Sequence, residues 1–136
     1  MDERSEKVTD EIVDIIGGND KNIKKGHIIG LSKEIRIRGS KKEKKVMAKI
    51  DTGASDSSIS FRLLQEIGET PVIREVIVER AHEEEKRPLI RLSIKCDDNW
   101  VESEFTVSHR ENMKYDVLIG DNTLKKMNVL IDPEKT

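Results

Sequence analysis

An acid, a hydroxyl and a glycine stand in a row at Asp51, Thr52 and Gly53, and these residues are the best suited to chemistry. In the preceding run, residues 46–50, apolar side chains recur at every second position, which is typical of a strand with one buried face. Glycine allows close backbone approach, and a threonine hydroxyl can bond a neighbouring loop. A carboxylate in such a loop can serve as a general base. It can also be part of an ordinary turn, where it only accepts hydrogen bonds from the following N–H groups.

A second motif, residues 115–124, supports the first one. It predicts a buried strand that ends at Gly120, followed by a short helix that Asp121 caps. Four residues are expected to form a supporting loop around the acid: Ala54, Ser55, Ile119 and Gly120.

Short strands separated by turn signals predict a mainly β domain, either a barrel or a sandwich. Residues 61–68 differ, since they predict a short helix that a serine caps and that Gly68 ends. The charged segments 39–45 and 81–87 are expected to be hairpin tips. The predicted strands span residues 27–38, 46–50, 72–80, 89–96, 100–107, 115–120 and 128–132.

The N-terminal part of the chain has a different pattern. Residues 3–16 predict an amphipathic helix, which either packs on its own domain or acts as a partner-binding arm. We therefore predict an N-terminal helical extension and linker at 1–25 and one β domain at 26–136.

Composition excludes several classes of function. The 25 basic and 27 acidic residues nearly cancel, so nothing indicates a nucleic-acid partner. We expect neither a signal peptide nor a membrane span, because no apolar run is long enough. Cys96 is the one cysteine of the chain, so no internal disulfide can form. These features predict a cytoplasmic protein.

An apolar strand leading to D-T-G-A, a hairpin, and V-L-I-G before a short helix together resemble the retropepsins, the half-size aspartic proteases of retroviral type. This resemblance implies a closed retropepsin-like barrel with one or two short helices, in addition to the N-terminal helix. Within that fold the sequence is similar to the ATP-dependent zinc protease family, whose genes often neighbour ATP-grasp ligases that add glutamates. The matching segments are 51–54, 87–90, 108–113, 118–120 and 129–133.

The resemblance also implies a mechanism, an aspartic-type endopeptidase that works on a peptide or protein substrate. Two carboxylates must share one proton, and this chain has a single D-T-G, so the dyad implies a homodimer in which each chain gives Asp51. Thr52 would then cross-bond the two loops, and the N–H of Gly53 would face the carboxylate. The substrate would lie under a flap around residues 79–88, with four candidate contacts: Arg80, His82, Lys86 and Arg87.

Two alternatives stay open beside the aspartic peptidase. One is a catalytically silent retropepsin-like module for dimerisation or peptide binding, since a fold does not guarantee chemistry. The other is the zinc-dependent peptidase that the family name describes, acting on glutamate-rich tails. The sequence has no H-E-x-x-H, no paired cysteines and no phosphate-binding loop, so we predict neither a metal nor a cofactor.

Overall fold

The computed structural model describes residues 28–80, 82–109 and 113–135, with the backbone alone at Arg80. The predicted helix at 3–16 and the whole 1–25 extension lie outside these residues. Within the described ranges the chain forms nine strands and two short helices. The strands are β1 Ile28–Ile29, β2 Ser32–Arg38, β3 Glu43–Ile50, β4 Ser57–Ser60, β5 Val72–Arg80, β6 Glu83–Cys96, β7 Asn99–Ser108, β8 Val117–Ile119 and β9 Leu130–Ile131, and the helices are α1 Phe61–Ile67 and α2 Asp121–Met127.

Six strands close into a barrel, in the order β2, β3, β8, β4, β7 and β6. The ring closes because β6 also pairs with β2, for example at Ile37 and Ile94. The pairs β3–β8 and β4–β7 are parallel, and the other pairs in the ring are antiparallel. This architecture confirms the predicted mainly β closed barrel.

Isoleucines dominate the barrel core, in keeping with the low aromatic content of the sequence. Ile37, Ile59, Ile94 and Ile119 are fully buried around Phe105. Alternation produces this face in β2 and in residues 90–94 of β6, where the polar neighbours point towards solvent. No helix of the described residues is long and apolar enough to cross a membrane.

Helix α1 has the predicted ends. The side chain of Ser60 accepts a hydrogen bond from the N–H of Leu63 at 3.1 Å, which caps the first turn. Gly68 ends the helix at a φ of 102°, a conformation that favours glycine. The helix buries Leu63, Leu64 and Ile67 against the barrel.

Several predicted boundaries are wrong. The strand predicted at 27–38 is broken at Gly30 and Leu31, because β1 turns aside to pair with β9. The strand predicted at 128–132 is reduced to Leu130–Ile131, since Asn128 adopts a left-handed conformation after α2. Both charged tips are shorter than predicted because cross-strand pairing continues into them, to Arg38 with Glu43 in one hairpin and Arg80 with Glu83 in the other.

Strand β5 lies outside the barrel ring. It pairs with β6 from Val72 opposite Ile90 to Arg80 opposite Glu83, and with no other strand of the described chain. We call this arm, residues 72–90, the flap hairpin. Because it extends β6 past the ring, it can cover the neighbouring loop that follows β3.

Candidate active site

The two sequence motifs meet where the parallel strands β3 and β8 end side by side. Ile50 lies opposite Ile119 in the register, and the N–H of Asp51 donates to the carbonyl oxygen of Ile119 at 2.9 Å. Ile119 is fully buried, whereas Asp51 is half-buried. The barrel therefore fixes the start of the loop that carries the acid.

The loop itself is a tight turn around the carboxylate. The N–H of Gly53 donates to Oδ1 of Asp51 at 3.0 Å, and the N–H of Ala54 donates to the carbonyl oxygen of Asp51 at 3.2 Å. Thr52 and Gly53 are exposed at the tip of the turn. These bonds fit both a catalytic loop and an ordinary turn, so they do not decide between the two hypotheses.

The turn at Gly120 packs closely against residues 54–56 of the loop that carries Asp51. A Cβ atom at Gly120 would lie 2.7 Å from the carbonyl oxygen of Asp56 and 2.9 Å from that of Ala54, so the position needs glycine for steric reasons. The following N–H, that of Asp121, donates to the carbonyl oxygen of Ala54 at 2.8 Å. All four predicted supporting residues, which include Ser55 and Ile119, thus belong to one contact region.

A cavity of about 390 Å³ lies between this loop and the flap hairpin. Its walls include Ala54, Ser55 and Asp56 of the loop and Ile77 and Val78 of β5. We call this space the flap cavity. Asp51 lies in the same loop as Ala54, Ser55 and Asp56, but it does not itself line the cavity.

The predicted flap contacts are separated by the structure. Arg87 faces the flap cavity and is only 8% exposed, and its Nη2 lies 3.1 Å from Oε1 of Glu85. Its Nε atom is buried and has no hydrogen-bond partner among the described residues. Lys86 and His82 are exposed, and the side chain of Arg80 lies outside the described part of the chain. Strand alternation explains the difference, because consecutive residues such as Lys86 and Arg87 point to opposite faces.

The site also contains residues that the sequence motifs did not predict. Ser57, Ser103 and Thr123 are fully buried and hydrogen-bonded behind the Gly120 turn, together with Asn122. Only Ser103 has a signal in the sequence, because its hydroxyl lies at a position that a buried strand would give to an apolar residue.

A model of the RimB-like family, described as retropepsin-like aspartic endopeptidase RimB, matches residues 63–136. The chain belongs to the RimB-like family. The matched segment includes the flap hairpin and the Gly120 turn but begins after Asp51, so the match does not itself cover the acid. Comparison with curated protein sequences finds no significant match.

Solved structures support the retropepsin-like fold of this RimB-like protein. The Legionella pneumophila protein Lpg0085, described as having unknown function (DUF785), is 19% identical with a TM-score of 0.57, and the match covers 80% of this chain and 95% of that one. The simian foamy virus protease is 22% identical with a TM-score of 0.51, covering 71% and 94%. The EIAV protease in complex with the inhibitor HBY-793 is 12% identical with a TM-score of 0.55, covering 72% and 88%. At these identities the likeness shows the fold alone.

The described residues of the RimB-like chain bring together no group of three His, Cys, Asp or Glu side chains that could hold a metal ion. The family model carries the retropepsin-like name, and two of the similar solved structures are described as proteases. None of these comparisons confirms the ATP-dependent zinc protease name.

Proposed function

We propose that this RimB-like protein is an aspartic-type endopeptidase that works as a homodimer. The observation that carries the proposal is the hydrogen bond from Asp51 to Ile119, which holds an acid-bearing loop at the end of a buried strand beside the Gly120 turn. Membership of a family described as aspartic endopeptidases supports the same chemistry. The proposal covers residues 26–136 as the catalytic domain and a cytoplasmic location.

Each chain supplies one acid of the dyad in this proposal. The carboxylate of Asp51 bonds its own loop through Gly53, and a second acid has to approach it from a two-fold related copy. Thr52 and Gly53 are exposed at the loop tip, where such a copy can reach them. Thr52 would then bond the partner's loop, and Gly53 would keep the carboxylate oriented.

The two carboxyl groups have different roles in the proposed reaction. One ionised Asp51 removes a proton from water, whose oxygen attacks the scissile carbonyl carbon, while the protonated copy donates a hydrogen bond to the carbonyl oxygen. The proton taken from water then passes to the leaving amine, so the dyad again holds one shared proton. Two acids at contact distance cannot both ionise, which keeps them in these different states.

Arg87 favours an acidic side chain in the substrate. Its side chain lines the flap cavity, and a substrate carboxylate that contacts the guanidinium would gain a charge-assisted hydrogen bond. Asp56, on the opposite wall, would limit the number of acidic groups the cavity accepts. Glutamate-rich peptides are therefore the first substrates to test.

The decisive experiment compares Asp51→Asn with Asp98→Asn, a matched change in an exposed turn. We expect Asp51→Asn to lower peptide cleavage by about a hundredfold or more, since the amide cannot act as a base, and to leave the fold intact. Asp98→Asn should leave cleavage unchanged. Equal activity in all three proteins would contradict the proposal.

Mixing parent and Asp51→Asn chains tests whether the dyad is shared between two chains. If parent and Asp51→Asn chains exchange freely in equal amounts, only about a quarter of the dimers contain two parent chains. Activity per parent chain should therefore fall by about half. Unchanged activity per parent chain would place the whole site in one chain.

The two alternatives make different predictions. A silent module would bind peptides without cleaving them, and Asp51→Asn would change nothing. A zinc-dependent peptidase would lose activity in a chelator and recover it on addition of zinc.

A further inference from the structure

Small polar side chains are buried together behind the acid's loop, between β4, β7 and α2. Ser57, Ser103 and Thr123 are each 0% exposed, although a buried hydroxyl is costly unless it is hydrogen-bonded. Asn122 lies at the edge of this group and contacts Ser57. We call these four residues the hydroxyl network.

Asn122 forms hydrogen bonds through both polar atoms of its side chain and through its backbone N–H. Its Oδ1 accepts hydrogen bonds from the N–H and the hydroxyl of Ser57, both at 2.9 Å, and its Nδ2 donates to the carbonyl oxygen of Glu104 at 2.9 Å. Because a backbone N–H can only donate, the oxygen of the amide has to face Ser57. The backbone N–H of Asn122 donates to the carbonyl oxygen of Ser55 at 3.2 Å. Asn122 therefore holds the chain on both sides of Asp56.

Each hydroxyl group has one proton to donate, and this limit gives the hydrogen bonds of the network a direction. The hydroxyl oxygen of Ser57 accepts the N–H of Gly120 at 2.9 Å, and its single proton goes to Asn122. Thr123 contacts the same oxygen and also lies 3.4 Å from Oδ1 of Asn122, so its proton goes to Ser57 or to Asn122. Ser103, whose Oγ is 2.7 Å from Oγ1 of Thr123, donates to Thr123. In the opposite direction the proton of Ser103 would have no acceptor among the described residues. Only an order that begins at Ser103 and ends at Asn122 therefore satisfies all three hydroxyl groups.

We propose that Asn122 is the positioning residue of the Asp51 loop, and that Ser103, Thr123 and Ser57 form a one-way chain of hydrogen bonds that keeps it in place. The loop is then held at both ends, by Asp51 with Ile119 at its start and by Asn122 at its close. Catalysis by a dyad requires its carboxylates to be oriented before the substrate binds. The proposed effect on catalysis rests on the proposed function, whereas the proposed effect on the conformation of the loop does not.

The test uses two variants of one residue in the full chain, Thr123→Val and Thr123→Ser. The first keeps the shape and removes the hydroxyl, and the second keeps the hydroxyl. Amide hydrogen exchange and NMR shifts are measured at Gly120 and at Gly53, whose N–H faces the carboxylate of Asp51. The amide of Ile94, in the barrel wall, reports on global stability.

In Thr123→Val we expect the Gly120 amide to exchange about tenfold faster or more and the Gly53 resonance to shift or broaden, with Ile94 unchanged. Thr123→Ser should stay within about twofold of the parent at all three amides. A peptide that the parent cleaves should show a lower kcat in Thr123→Val with little change in KM. The NMR result does not depend on activity, so an inactive parent protein would count against the proposed function and not against the network.

Parent-like exchange in Thr123→Val, or equal acceleration at Ile94, would overturn the proposal. If Thr123→Val does not fold, Ser103→Ala decides, since it removes only the first donor of the chain. The Gly120 amide should then stay within about twofold of the parent, whereas a tenfold increase would contradict the proposed direction.

Discussion

The N–H of Asp51 donates a hydrogen bond to the carbonyl oxygen of Ile119 at 2.9 Å. This bond continues the parallel pairing of β3 and β8 by one step, because Ile50 lies opposite Ile119. It connects two motifs from opposite halves of the sequence, and the buried Ile119 makes the connection rigid. The position of the acid is thus set by barrel geometry and not by its own turn alone.

Gly120→Ala should destabilise the protein because the new Cβ would overlap the carbonyl oxygen of Asp56 at 2.7 Å. We expect a loss of about 1–3 kcal/mol in the free energy of unfolding, measured by denaturant titration. Gly53→Ala is the control, since its Cβ would meet only Oδ1 of Asp51 at 3.4 Å, an ordinary contact. Equal losses in the two variants would show that close packing at Gly120 does not limit stability.

Arg87→Gln should reduce the preference for acidic substrates, because the amide keeps hydrogen-bonding ability and loses the charge. A hydrogen bond to a charged group contributes about 1.5–3 kcal/mol, so kcat/KM for an acidic peptide should fall about tenfold or more. A matched neutral peptide should be nearly unaffected. Lys86→Gln is the control, because Lys86 is exposed on the next position of the strand. The same loss for both peptides would indicate that Arg87 supports the flap without selecting the substrate.

Asp116 should contribute stability that depends on pH. Burial would raise the pKa of its carboxyl, but hydrogen bonds from Ser60 at 2.7 Å and Arg62 at 2.8 Å outweigh it and hold the pKa below the ordinary 3.8. Because the folded pKa is lowered, the contribution is complete above about pH 4 to 5 and is lost as pH falls through the folded value.

The measurement is the free energy of unfolding of parent and Asp116→Asn between pH 2 and 7. We expect Asp116→Asn to be about 0.5–1.5 kcal/mol less stable at neutral pH, with the difference shrinking in acid. Most of this difference in stability should come from the hydrogen bond with Ser60, since Arg62 is 72% exposed and its ion pair with Asp116 is screened by water. Asp98→Asn should follow the parent at every pH, and a constant difference for Asp116→Asn would contradict this account.

Cys96 should react slowly with thiol reagents in the folded protein. Burial, assisted by the charge of the neighbouring Asp97, raises the pKa of the thiol to about 11. The reactive thiolate is then about one part in ten thousand at pH 7. Alkylation followed by mass spectrometry should show slow modification that accelerates sharply in denaturant. Fast modification of the native protein would mean that the thiol is more accessible than its burial indicates.

The sequence by itself determined the fold class and the place of the acid. Local signals that short-range physics produces are present in the alternation of β2 and of residues 90–94 in β6. They are also present in the serine cap and Gly68 of α1, and in the two motifs that end at Asp51 and Gly120. These signals do not depend on which distant strand becomes the neighbour.

Only the tertiary structure decided how the site is held together and which flap residue faces it. Strand β4 has no alternation, since Ser57, Ser58, Ile59 and Ser60 are all buried. The hydroxyl groups of Ser57 and Ser60 are stable inside the protein because partners from α2, the Gly120 turn and the segment before β8 satisfy their hydrogen bonds. No local pattern encodes those distances. The separation of Arg87 from Lys86 likewise required the exact strand register, because a shift of one residue would exchange the two faces.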